Sequence, residues 1–270
     1  MRLALLALFT AAALAAQNPD WTAPFPPHTI AGNLHYIGTK DLACYLITTP
    51  KGHILINTGL GDSTPLLQAG AKKLGFDLKD TKILLTMQAH YDHTAALAEI
   101  QKLSGAKVYA TVGDAAYLED GGKSDPLVLA FADQDFRFPP VKVDRRLKDG
   151  DTVALGGTEV KVISMPGHTR GAAGYSVNGV LLVNVPSVVV PLIGNKAYPN
   201  IVEDYEATFV KLKQLRPTIW VAGHGSQYNL AAKHAKGSFV DPEGYATAIA
   251  NAEKTYREKL AREKAAKGQP

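Results

Sequence analysis

Apolar positions along this chain fall into short runs, and polar stretches of helix length separate them. Ala43 to Thr49 and His53 to Asn57 are apolar and rich in β-formers, and Thr49-Pro50-Lys51-Gly52 predicts a hairpin turn between them. Asn57 to Ser63 opens a helix, with Asp62 or Ser63 as its N-cap. Lys82 to Met87 predicts another strand, which stops abruptly at Gln88-Ala89-His90-Tyr91-Asp92-His93 before a helix over Thr94 to Leu103. A strand and helix follow over roughly 106 to 120, then a glycine-rich loop at 121 to 126. Paired strands at 151 to 164 and 172 to 185 flank Pro166-Gly167-His168-Thr169. A helix near 201 to 215 leads to a strand from Thr218 to Ala222, closed by Gly223-His224-Gly225.

From Pro242 onward the chain reads as a highly charged helix. Glu253/Arg257 and Glu258/Arg262 stand four residues apart there, so its charge reads as a solvated face rather than a binding patch. Early hairpins and strand–helix alternation in both halves, without an internal repeat or low-complexity linker, predict two sheets with helices outside them. The expected organisation is one α/β domain over 17 to 270, ending in the charged helix.

Composition narrows the class. With 46% hydrophobic and 20% charged residues among 270, the chain is neither disordered nor collagen-like. Its one cysteine excludes an internal disulfide framework and any zinc site built from several thiolates, and Cys44 itself sits in an apolar run and reads as core. A net charge of +4 is too small and too dispersed to indicate nucleic acid as a partner. The N-terminus changes the expected compartment: Arg2, the apolar run Leu3 to Leu14 and Ala13-Leu14-Ala15 match a cleavable secretory signal over residues 1 to 16. The run is shorter than the about 20 residues that span a bilayer, so the mature chain is expected free of the membrane, in a periplasm or secreted. Oligomeric state has no signature in the sequence.

The chemistry concentrates at strand ends, where a rigid scaffold presents functional groups. Gln88, His90, Asp92 and His93 occur within six residues, and an extended backbone would send Gln88, His90 and Asp92 one way, with His93 approaching from another. His168 and His224 follow other strands, each beside glycine. His28, His35, His53 and His234 lack such company and read as structural or surface residues. Imidazole and carboxylate donors without thiolate suit zinc, with iron or manganese as alternative occupants, and six donors exceed one tetrahedral ion, which points to two metals. Paired metals of this kind lower the pKa of bound water towards about 7 and make hydroxide available at neutral pH.

The order of this cluster, then Gly167-His168-Thr169, then a late lone histidine resembles the metallo-β-lactamase superfamily, over nearly all of residues 21 to 241. Ile30-Ala31-Gly32-Asn33-Leu34, Leu46 to Pro50, Gly52 to Leu60, Met165 to Gly171 and Tyr198-Pro199-Asn200-Ile201 are similar to the third subclass of class B β-lactamases. Gln88, where that subclass usually has histidine, and Asn184-Val185-Pro186-Ser187, where many members have Asp-Ser-Leu-Ser, resemble its glutamine-bearing GOB branch. The resemblance implies an αββα sandwich with Gln88, His90 and His168 holding one zinc and Asp92, His93 and His224 the other. It further implies attack of a bridging hydroxide on a β-lactam carbonyl, with Asp92 orienting the nucleophile and Ser187 contacting the substrate carboxylate. A neutral amide oxygen is a poorer zinc ligand than imidazole, so one or two ions are expected, with the second site tighter. The same metals also cleave other bonds, which leaves a lactonase, thioesterase or phosphodiesterase, or a non-catalytic zinc-binding homologue, as alternatives.

Overall fold

The computed structural model describes residues 18 to 268, so the proposed leader lies outside the described residues. Among the described residues twelve strands form two sheets. The first is ordered β1 (His28–Ala31), β2 (Leu34–Tyr36), β3 (Tyr45–Thr49), β4 (Gly52–Ile56), β5 (Thr81–Leu85), β6 (Lys107–Thr111), β7 (Arg145–Leu147). Pairing is antiparallel from β1 to β4 and parallel from β4 to β7. The second sheet runs β12 (Ile219–Ala222), β11 (Val180–Val183), β10 (Ala173–Val177), β9 (Thr158–Ser164), β8 (Thr152–Leu155), with β11 and β12 parallel and the rest antiparallel.

Side-chain alternation along the strands explains the layering. In the first sheet Tyr45, Ile47, Ile54, Ile56, Ile83 and Leu85 enter the same apolar cluster as Val153, Val160, Val162, Tyr175 and Leu182 of the second. Their neighbours Leu46, Leu55 and Leu84 point the other way, into a second cluster. There they meet Leu67 and Ala71 of α1 (Thr64–Lys73), Leu97 and Ile100 of α3 (Leu97–Ser104), and Ala115 and Leu118 of α4 (Val112–Asp120). The second sheet is covered by α6 (Ile201–Gln214) and α8 (Pro242–Ala266), which bury Tyr205, Phe209, Leu212, Tyr245, Ile249 and Tyr256. The short helices α2 (Tyr91–Thr94), α5 (Pro126–Ala130) and α7 (Leu230–Lys236) complete the set. With helices outside both sheets, this is the αββα sandwich expected from the sequence.

Local differences have physical causes. The single helix expected over Thr94 to Leu103 is two: one turn at Tyr91–Thr94, then α3 from Leu97. Ser63 stands at the N-cap of α1, but its side chain makes no capping bond, because its own backbone is already in the right-handed helical region. The glycine-rich loop runs into α5, whose N-cap Asp125 accepts from Leu127 N at 2.7 Å. Glu253 and Arg257 do pair, at 2.6 Å, and the same helix buries Ile249 and Tyr256. Among the described residues no helix is long and apolar enough to cross a membrane.

Candidate metal centre

The polar cluster after β5, the β9–β10 connection and the end of β12 meet where the two sheets converge. Backbone bonds fix that meeting: Ala173 N donates to Met87 O at 2.8 Å and Ala43 N to Gly223 O at 3.1 Å. Asn57, in the left-handed region at φ 63°, accepts from Met87 N at 2.9 Å and donates to Ala43 O at 3.1 Å, so it braces the residue before Gln88. Gly167 has φ 133°, and a Cβ there would sit 2.8 Å from the Tyr205 ring. Only glycine allows the β9–β10 turn to lie flat on that ring and present His168.

Asp92, His93 and His224 form one cluster, with a donor atom from each within 4.8 Å of the others. Asp92 Oδ2 is 3.3 Å from His93 Nε2 and 3.4 Å from His224 Nε2. His90 and His168 face each other edge-on, with ring centroids 4.6 Å apart. Gln88 is buried on the same loop as His90, and its Oε1 has no hydrogen-bond partner among the described residues. This grouping corrects the simple alternation expected for 88 to 93. The backbone turns helical at Tyr91, so Asp92 leaves the row of Gln88 and His90 and joins His93.

Each outward-facing imidazole is held from behind. His224 Nδ1 is 3.0 Å from Asp41 Oδ2, His168 Nδ1 donates to Ser187 O at 2.7 Å, and His90 Nε2 lies 3.4 Å from Asp125 Oδ2. Those contacts leave Nε2 of His224, Nε2 of His168 and Nδ1 of His90 for a ligand. Asp41, Asn57, Asp114 and Asp125 escaped the sequence reading, since none lies in a donor-rich motif. The Asp125-Pro126 helix start was the one local signal, and it indicates a cap rather than a partner for His90.

Electrostatics agree with a site built to receive a cation. Burial alone would raise the Asp92 carboxyl, but the His93, His224 and His90 rings hold it well below the usual carboxylate range. Burial lowers His93 to about 4 and His168 to about 3, so both rings are neutral and free to donate a lone pair at neutral pH. For His224, burial is outweighed by hydrogen bonds to Asp41 and Asp92, which push it up to about 9. His90 is raised by Asp125 against its burial.

Zinc fits these residues. Among the described residues, Gln88 Oε1 and both ring nitrogens of His93 are buried without a hydrogen-bond partner, which is costly unless something else satisfies them. The donors are nitrogen and oxygen only, as zinc accepts. Ser187 is exposed, with Oγ 3.1 Å from His168 Nδ1. Val185 is buried and offers the site no polar atom. The remaining histidines are engaged in packing: His28 lies against His234 and Phe239, His35 bonds Thr29 and Thr48, and His53 meets Phe76 edge-on. Cys44 is buried, and burial pushes its thiol up.

Residues 41–224 match the family model described as the metallo-beta-lactamase superfamily. The metallo-beta-lactamase GOB-18 from Elizabethkingia meningoseptica superposes with a TM-score of 0.85 at 41% identity, covering 91% of this chain and 96% of that one. The class B3 di-zinc metallo-beta-lactamase LRA-12 from an Alaskan soil metagenome gives 0.84 at 43%, covering 90% and 97%. Among curated relatives, a hydroxyacylglutathione hydrolase of Fuscovulum blasticum is 30% identical over 164 residues, which is 60% of this chain and 54% of that protein. The chain thus spans about half the length of that relative.

Proposed function

This chain belongs to the metallo-beta-lactamase superfamily, as a hydrolase with class B3 structural neighbours, and from that premise we propose that it opens the amide ring of β-lactam antibiotics with zinc. The observation that carries the proposal is the division of the donors: Asp92, His93 and His224 in one group, His90 against His168 in another, and Gln88 unpartnered between the same loops. We assign Gln88, His90 and His168 to the first ion and Asp92, His93 and His224 to the second.

Bound zinc supplies Lewis acidity and brings the pKa of water towards about 7. The chain's own groups do the rest. Asp92, ionised throughout the working pH range, accepts a hydrogen bond from the attacking water and orients it. His168 donates Nδ1–H to Ser187 O, which leaves the Ser187 hydroxyl proton free for the substrate carboxylate. The neutral amide of Gln88 makes the first site the weaker one, so activity with one or two ions follows. The leader over residues 1 to 16 would deliver the chain to a periplasm or outside the cell, which fractionation and N-terminal sequencing of the mature protein check.

The competing substrate class is a thioester, favoured by the hydroxyacylglutathione hydrolase relatives. The lactamase reading is supported by higher identity over nearly the whole of both chains. Both are tested together by offering a chromogenic cephalosporin, a carbapenem and a hydroxyacylglutathione to the zinc-loaded chain, with and without chelator. Chelator-sensitive turnover of the lactams, restored by zinc, is expected. Turnover of the thioester alone would replace the lactamase reading.

A further inference from the structure

Asp41 receives bonds from three directions. Its Oδ2 accepts Trp21 Nε1–H at 3.0 Å and faces His224 Nδ1 at 3.0 Å. Its Oδ1 accepts from Ser226 N at 2.8 Å, while its carbonyl takes Gly225 N at 2.6 Å. On the other side the N-terminal arm is laid along the same segment: Asp41 N donates to Asp20 O at 3.2 Å, Lys40 N to Ala23 O at 2.9 Å, and Pro24 bridges Thr39. The Trp21 ring sits 5.9 Å from the His224 ring and 6.2 Å from Tyr91, which in turn stacks on Phe136 at 5.0 Å. One carboxylate oxygen therefore serves both the arm and a residue of the metal centre.

We propose that Asp41 is a positioning residue that couples docking of the N-terminal arm, through Trp21, to metal binding at His224. The inference rests on the assignment of Asp92, His93 and His224 as a zinc site. An acceptor at Nδ1 fixes the imidazole in the tautomer whose Nε2 lone pair faces Asp92 and His93. Docking of Trp21 limits the rotation of the Asp41 carboxylate, so His224 has less freedom left to lose when an ion arrives. Conversely, an ion on His224 fixes the ring, the ring fixes the carboxylate, and the arm then docks at smaller entropic cost. Linkage makes the two effects equal: whatever factor the arm adds to zinc affinity, zinc adds to arm docking.

The test uses the full chain with zinc as the probe. Zinc affinity is read by competition with a chromophoric chelator, and arm docking by hydrogen exchange at the Lys40 amide, which donates to Ala23 O. In the unsubstituted chain zinc is expected to slow that exchange at least about fivefold. Trp21→Phe keeps an aromatic ring but removes the N–H donor together with the second ring of the indole; it is expected to weaken zinc binding by the same factor and to abolish the zinc effect on exchange. Asp41→Asn is expected to weaken zinc binding about 10–100-fold. If Trp21→Phe binds zinc as tightly as the unsubstituted chain, or exchange at Lys40 ignores zinc that is bound, the coupling is wrong while the metal site stands. If the unsubstituted chain binds no zinc, both fall together.

Discussion

Thr169 donates its hydroxyl to Asp114 Oδ2 at 2.8 Å, and the same oxygen accepts Ala89 N at 2.9 Å. Gly171 N completes the set on Oδ1 at 2.7 Å. A carboxylate on α4 thereby ties the loop bearing His90 to the loop bearing His168, although the two come from different sheets. Asp114 is not among the donors assigned to either ion; its bonds hold the two loops together.

Asp114→Ala is expected to leave three buried donors unpaired. At about 1–3 kcal/mol for each unsatisfied group, the loss of stability should reach at least about 3 kcal/mol. Chemical denaturation of the metal-free chain measures it. A change below about 1 kcal/mol would mean that water replaces the carboxylate and the brace is dispensable.

Gln88→His replaces a neutral amide oxygen by an imidazole at the first site. Zinc titration of the unsubstituted chain should show two unequal steps, and the variant should bring them together by tightening the weaker about tenfold, equivalent to about 1.4 kcal/mol. Equal, tight binding in the unsubstituted chain would remove the asymmetry assigned to Gln88.

His90 has its Nε2 at 3.4 Å from Asp125, both residues being buried. Asp125→Asn preserves the size of the cap on α5 and removes the charge behind His90. First-site zinc affinity should fall about 10–100-fold while the second site changes little. Loss confined to the second site would reverse the assignment of His90.

His224 supplies the pH dependence. Its pKa in the metal-free folded chain is pushed up to about 9, against 6.5 for an ordinary imidazole. A raised pKa means that the folded state holds a proton the unfolded state has released, so this contribution to stability is full below about 6.5 and lost as pH rises through 9. The same proton competes with zinc for Nε2. Zinc affinity at the second site should therefore tighten by up to about tenfold per pH unit between those limits, with proton release on binding. Calorimetry in buffers of different ionisation enthalpy counts that proton; release of none would show His224 to be neutral before metal arrives.

Gly167→Ala places a methyl 2.8 Å from the Tyr205 ring at φ 133°. A cost of about 1–3 kcal/mol is expected for the backbone conformation, with the ring clash in addition. Because Tyr205 also donates to Ser187 O at 2.6 Å, the carbonyl that holds His168, activity should fall along with stability. Full activity in this variant would show that the His168 turn tolerates displacement.

Much of this protein was determined by the sequence alone. Unbroken apolar runs at Tyr45 to Ile47 and Ile54 to Ile56 suit strands buried on both sides, and the pleat places one row between the sheets and the other under α1 and α3. Donor-bearing residues at the ends of short apolar runs marked Gln88, His90, Asp92, His93, His168 and His224, because a strand that stops at polar side chains presents them together. Tertiary structure decided how those donors divide. The chain turns helical at Tyr91, a choice that local pattern does not enforce, and Asp92 consequently faces His93 and His224 rather than Gln88. It also decided which nitrogen of each imidazole is free, through Asp41, Asp125 and the carbonyl of Ser187. These partners lie 183, 35 and 19 residues from the rings they hold. Proximity across such separations is created by the packing of the two sheets, and no periodicity along the chain encodes it.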